Sequence, residues 1–165
     1  MGHPPADGAL DDTADDLITI PLGVLRLKNA LEREQFRDEM LLIDCPPNLG
    51  SLTFSALIAA DYVIIPTTPA AWSINGVRRV SEKIEDIRGA LGAAPPILGA
   101  IATMVRPTAE HTAGVKALEA PDMPRLLGTI PVRGGIDAAS DLLTSYMRVA
   151  GVLLELLGGA HEQAA

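Results

Sequence analysis

Short apolar runs alternate along this chain with longer segments in which apolar residues recur every three or four positions. The short runs are Glu39–Asp44, Tyr62–Pro66, Ile97–Met104 and Leu126–Ile130. Each is bounded by turn formers and is too short for a stable helix, so each predicts a buried strand. Tyr62-Val63-Ile64-Ile65-Pro66 is rich in β-branched residues, which pack well on a pleated surface. A fragment at Leu17–Ile20 reads as a strand end.

Helical spacing fills the intervals. From Pro21 to about Phe36, Leu22, Leu25, Leu27, Ala30 and Leu31 form a stripe, with Arg26, Lys28, Glu32 and Arg33 opposite. Ser51–Ala60 predicts a short helix of small and apolar residues. Ser73 is a candidate N-cap for a long helix to about Leu91, broken at Gly92–Pro96. Pro107-Thr108 opens another, to about Ala120. Pro131 to Gly135 predicts a loop, Asp137 the cap of a short helix, and Ser145–Leu157 a last helix stopped by Gly158-Gly159. Four strand–helix alternations predict an α/β fold, a mostly parallel sheet with helices on both faces.

Length and composition sharpen this picture. A chain of 165 residues is one domain by length, and 48% apolar with 3% aromatic residues implies an aliphatic core. The net charge of −8 is uneven. Asp7, Asp11, Asp12, Asp15 and Asp16 stand in a start that has no Lys or Arg. Residues 1–16 therefore read as an acidic disordered tail, 17–160 as the folded domain, and 161–165 as a second tail. Cys45 is the single cysteine, so no intrachain disulfide can form, which fits a reducing cytoplasm. His3, His111 and His161 show no metal-ligand spacing. The start has no basic region followed by an apolar stretch, so no signal peptide is expected. No stretch is expected to reach the ~20 apolar residues that span a bilayer.

The chemistry concentrates at Leu41-Leu42-Ile43-Asp44-Cys45-Pro46-Pro47-Asn48-Leu49-Gly50. An apolar strand ending in one aspartate before a rigid turn can deliver a carboxylate to a phosphate-bound Mg²⁺ at a sheet edge. The same residues also suit a strand that merely ends in Asp. A nucleotide site of this kind needs a Gly-rich loop bearing a lysine. The lysines are Lys28, Lys83 and Lys116, and none immediately follows a glycine.

The run Asp44 to Gly50, with Leu52-Thr53, Ala56-Leu57, Ala59-Ala60-Asp61 and Val63-Ile64-Ile65-Pro66, resembles the middle of ParA-type partition ATPases, in the ParA/MinD group of deviant P-loop NTPases. Ile74-x-Gly76, Thr103-Met104 and Ile130-Pro131 extend the resemblance over about residues 17–160. It implies a three-layer P-loop NTPase-like fold, incomplete at its N-terminus. By resemblance, Asp44 is the Walker B aspartate that holds Mg²⁺ through water. Pro46, Pro47 and Gly50 belong to the switch that senses the γ-phosphate. Thr103, Pro131 and Val132 fall at the adenine pocket. The implied cofactors are ATP and Mg²⁺. No catalytic residue is assigned, because the segment that carries the phosphate loop and the water-positioning aspartate is missing here. In the family the phosphate-loop strand lies beside the strand ending at Asp44, so its loss implies a gap or an exposed apolar edge.

The resemblance also implies partners: a second copy or a full-length ParA-like ATPase, nonspecific DNA, and a partition adaptor protein. Candidate DNA contacts are Arg78, Arg79, Lys83, Arg106, Arg125, Arg133 and Arg148, although Arg78 and Glu82 also suit an ordinary i,i+4 surface pair. The membrane branch of the group has a basic C-terminal amphipathic helix. Here no Lys or Arg follows Arg148, so Val149–Gly159 reads as a core helix and no membrane partner is expected. The expected setting is a bacterial cytoplasm, at the nucleoid. Three functions stay open on sequence: a partition ATPase domain without autonomous ATPase activity, a non-catalytic module that pairs with a full-length relative, and a gene fragment without function.

Overall fold

The computed structural model describes residues 23–34, 40–132 and 138–164, the last without side chains at 138, 139 and 160–164. A 3-10 turn, Gly23–Leu25, leads into helix α1, Arg26–Glu34. Helix α2 is Ser51–Ala59, strand β1 Val63–Thr67, helix α3 Ala71–Leu91 and strand β2 Ile97–Val105. Helix α4 is Ala109–Leu118, strand β3 Leu126–Pro131 and helix α5 Ala138–Ala164. Contacts group these residues into two units. One holds the described residues up to Asp61 with Ile87–Pro95, the other Tyr62–Asp86 with the chain from Pro96 onward.

In the second unit the strands form one parallel sheet in the order β1-β2-β3. Parallel neighbours need long crossovers, and α3 and α4 supply them. The register pairs Ile65 with Ala100, Thr67 with Ala102, and Val105 with Pro131. Ala100 and Ala102 of the central strand are wholly buried, and Ile84 of α3 and Leu118 of α4 are nearly so. The α/β fold with a parallel sheet is as expected.

Local signals set several boundaries. Thr108 caps α4, its hydroxyl accepting from the His111 N–H at 3.2 Å. Gly92 ends α3 with φ +77, a left-handed position that glycine adopts without a Cβ clash. Helix α3 begins at Ala71, two residues before the expected cap. Ala70 accepts the first helical bonds, and the Ser73 hydroxyl instead shares a 2.7 Å hydrogen bond with Thr68.

Three expectations fail. Met40–Asp44 is not a strand: it pairs with nothing among the described residues, and Leu42 is 85% exposed. A strand exists only where a neighbour accepts its backbone hydrogen bonds, and an apolar pattern cannot supply that neighbour. Glu39 lies outside the described residues. The two expected C-terminal helices are one, since α5 runs through Gly158 and Gly159 without a positive φ. Glycine weakens a helix interior but does not stop it. Asp137 lies outside the described residues. Finally, Ser140–Gly159 is 20 residues long, apolar enough by composition to cross a membrane, and only 6% buried. The expectation that no stretch is long and apolar enough therefore fails, while Val149 of the same helix is buried against Gly128.

Close approach is purchased with glycine. A Cβ on Gly114 of α4 would overlap the Pro69 carbonyl oxygen and stand 3.0 Å from the Pro69 Cβ. A Cβ on Gly128 of β3 would stand 2.8 Å from Val149, the buried residue of α5. Gly114→Ala should therefore destabilise the fold by about 1–3 kcal/mol through overpacking against backbone that cannot yield. Gly151→Ala on α5, where a Cβ meets nothing within 4 Å, should be neutral or stabilising by up to ~1 kcal/mol. Urea denaturation of the two variants checks the contrast.

Candidate functional site

In open parallel sheets the ligand crevice lies beyond the carboxyl ends of the strands. Here β2 and β3 end level, at Val105 and Pro131, while β1 stops earlier, at Thr67 opposite Ala102. Side chains and backbone tie the stepped edge together. The Thr103 hydroxyl donates to the Thr67 carbonyl at 3.2 Å. The Val132 N–H donates to the Val105 carbonyl at 2.8 Å. Thr103, Pro131 and Val132 are therefore brought to one edge. Thr67 and Thr68, which sequence reasoning passed over, belong there too. Their signal was the polar Thr-Thr-Pro run closing an apolar strand.

The backbone conformation of Met104 had no sequence signal. Its φ is +55, in the left-handed region that methionine seldom adopts. The register of β2 against β3 shifts between Ala102 and Val105, so Met104 is the extra residue of an irregularity. The cost of that conformation is borne near the carboxyl edge of the sheet, beside the candidate site, and such strain commonly concentrates at functional sites. Trp72, at the start of α3, is 77% exposed and is the only tryptophan of the chain.

Asp44, Pro46, Pro47 and Gly50 lie in the other unit, on the segment that leads into α2. The loop is locally ordered. The Thr53 hydroxyl, buried, donates to the Asn48 carbonyl at 2.6 Å and lies 3.4 Å from the Pro46 carbonyl. The Asn48 side chain accepts from the Gly50 N–H at 3.0 Å, a self-closed Asx turn. Asp44 is exposed. No group of three His, Cys, Asp or Glu residues that could hold a metal occurs among the described residues. Cys45 is half-buried; its thiol is pushed above the usual range by burial first and by the neighbouring Asp44 charge second.

The basic residues do not form one patch. Arg78 pairs with Asp122 at 3.1 Å rather than with Glu82, and Lys83 stands 3.6 Å from Asp86. Arg106 follows the carboxyl end of β2, whereas Arg125 precedes the amino end of β3. In a parallel sheet those are opposite edges, roughly 20 Å apart at ~3.3 Å per residue. Arg133 lies outside the described residues. A cleft of about 510 Å³ is lined by Arg125, Met123, Thr129, Ser145 and Arg148 among others.

This parallel sheet with its stepped carboxyl edge is the architecture of P-loop NTPase-like proteins. Comparison with known proteins narrows the class. Residues 5–94 match the family model described as an AAA domain. The chain is 35% identical over 102 residues to the chromosome partitioning protein ParA of Caulobacter vibrioides, covering 61% of this chain and 38% of that protein. A plasmid partition protein from Borrelia burgdorferi shares the fold, with a TM-score of 0.74, 24% identity, and coverage of 89% of this chain and 58% of that one. A cobyrinic acid a,c-diamide synthase from Mycobacterium smegmatis with bound ADP and magnesium aligns at TM-score 0.77 and 26% identity, covering 94% and 63%. The chain belongs to the AAA-domain family and is of the ParA type. It spans about two fifths of the length of the curated relatives it matches.

The raised Cys45 thiol has a pH consequence. A group whose folded pKa exceeds its unfolded value favours the folded state below the ordinary thiol pKa, and that contribution is lost as pH rises through the raised one. Iodoacetamide should therefore alkylate Cys45 several-fold more slowly in the folded chain than in urea at pH 8, and the folded rate should keep climbing above the ordinary thiol pKa of about 8.5. Asp44→Asn should move the midpoint part of the way back. Identical folded and unfolded pH profiles would contradict the assignment.

Proposed function

We propose that this chain serves ATP-dependent DNA partition in a bacterial cell, and that it does not hydrolyse ATP on its own. One observation carries the reading: a complete Asp44–Gly50 segment stands in a sequence where no lysine immediately follows a glycine. The first half is supported by the ParA-type membership of the chain. The second is a matter of chemistry. Phosphoryl transfer is catalysed by positioning and charge stabilisation, and the Gly-rich loop with its lysine does most of that.

The residues present fit two parts of a MgATP site and not the third. Thr103, Pro131 and Val132 suit the adenine side, because a hydroxyl and apolar surface meet there at a sheet edge. Pro46, Pro47 and Gly50 suit a switch, because a short stiff turn is anchored through Asn48 and Thr53 and left exposed. Asp44 suits a water-mediated Mg²⁺ contact. A single carboxylate, however, holds Mg²⁺ only together with substrate phosphates, and no phosphate cradle accompanies it. No hydrolytic step is assigned to these residues.

A second reading is favoured by one observation. Met40, Leu41, Leu42 and Ile43 are all exposed on a segment without a strand partner. Apolar surface of that kind suits docking on a full-length ParA-like ATPase, which would make this chain a non-catalytic module of the same machinery. An adaptor protein and nonspecific DNA would then be met through the complex, since the chain's own basic residues are dispersed.

Calorimetric titration of the chain with MgATP should give no saturable heat at micromolar protein. A micromolar Kd that disappears in Asp44→Ala would overturn the incomplete-site reading. Added to a full-length ParA-type ATPase, the chain should change steady-state ATP turnover, and Leu42→Asp should abolish that change. An effect unaltered by Leu42→Asp would exclude the exposed segment as the docking surface.

A further inference from the structure

We propose that the outer edge of β3 takes an extended acidic segment of a partner protein as an added strand. The proposal rests neither on nucleotide nor on the partition reading. Among the described residues β3 is the last strand of the sheet, paired with β2 on one side and with no strand on the other. The backbone N–H and C=O groups of such an edge are a template for a further strand. Charges and prolines are common devices for blunting it. Leu126 to Ile130 holds neither; its guards are a register shift between Leu126 and Gly128, and Pro131 at the strand end.

The cleft of about 510 Å³ lies along this edge. A Cβ on Gly128 would meet Val149, so α5 covers the face of β3 to which Gly128 points. Thr129, the next residue, points to the other face, where it stands with Thr112 and Val115 of α4. Residues from both sides line the one cleft: Gly128 and Val149 from the first, Thr129 and Leu118 from the second. A cavity that meets both faces of a strand, and the helix on each, lies at the open edge of that strand.

Charge selects the occupant. Arg125 enters β3 at its amino end, and Arg148 stands on α5 beside Val149. Both line the cleft, and neither forms an ion pair among the described residues. Glu119 is the one acid of the lining. Guanidinium groups left over beside an unpaired strand edge suit a carboxylate-bearing segment, with main-chain hydrogen bonds giving affinity and the arginines giving register. Val149 seats over Gly128, three residues beyond Arg125, so the two charges are roughly 10 Å apart along the strand and match acids three residues apart. A second copy joined edge to edge would bring four arginines together. A nucleic acid has no peptide backbone with which to complete the edge.

The probe is a fluorescein-labelled ten-residue peptide of valine and threonine with aspartate at its third and sixth positions. Its anisotropy should rise saturably on titration with the full chain, and amide exchange at residues 126–130 should slow in the complex. Arg125→Glu and Arg148→Glu, both at exposed positions, should each weaken binding about tenfold with the thermal melt unchanged. A peptide with lysine in place of aspartate should bind the double variant better than the parent chain. N-methylation of alternate residues should abolish binding for one parity and spare it for the other, since a strand pairs through every second residue. No saturable binding, equal binding of both N-methylated peptides, or indifference to both arginines would overturn the proposal. So would a 20-base-pair duplex that displaces the peptide and loses its own binding in the same two variants, or a chain that dimerises through this edge and excludes the peptide.

Discussion

A strand is stable only when its backbone groups are matched by a neighbour, and much in this molecule depends on that requirement. Tyr62 to Pro66 and Leu41 to Ile43 are comparable apolar runs. The first becomes β1, because β2 accepts its hydrogen bonds from Val63 to Thr67. The second has no partner among the described residues, stays outside the sheet, and exposes the side chains that a sheet would have covered. Side-chain hydrophobicity decides which segments would gain from a sheet. Backbone pairing decides which of them enter it.

The sheet that does form is packed through small residues. Ala100 and Ala102 give the central strand a low profile, and Gly128 lets Val149 of α5 seat directly on β3. Gly114 lets the loop after β1 reach α4. With few aromatic side chains to fill space, aliphatic residues must interlock at short range, and backbone proximity takes over part of that role. The irregularity at Met104 lies just beyond the end of β1, before β2 and β3 end together at Val105 and Pro131.

The candidate site residues divide along the same line. Thr103, Pro131 and Val132 are held by the sheet and by the Thr103–Thr67 and Val132–Val105 hydrogen bonds. Asp44 to Gly50 is held only by its own Asx turn and by Thr53. Each segment is locally ordered. A nucleotide site of this kind also needs a cradle of backbone N–H groups with a lysine, and no lysine of this sequence immediately follows a glycine.

The sequence by itself determined the alternation of strand and helix from Tyr62 to Pro131, the helix start at Pro107-Thr108 and break at Gly92, and the ParA-type motif at Asp44. These depend on spacing, on φ preference and on local hydrogen bonds, all of which act within a few residues. Tertiary structure alone decided that the run before Asp44 is unpaired, that β1 ends short of β2, that Met104 is left-handed, and that Arg78 meets Asp122. It also decided that the apolar C-terminal helix buries only one of its faces. The residues of α5 are apolar nearly all round, which on sequence reads as a core. Whether a second face finds a covering layer depends on what else the chain can place there, and among the described residues nothing does.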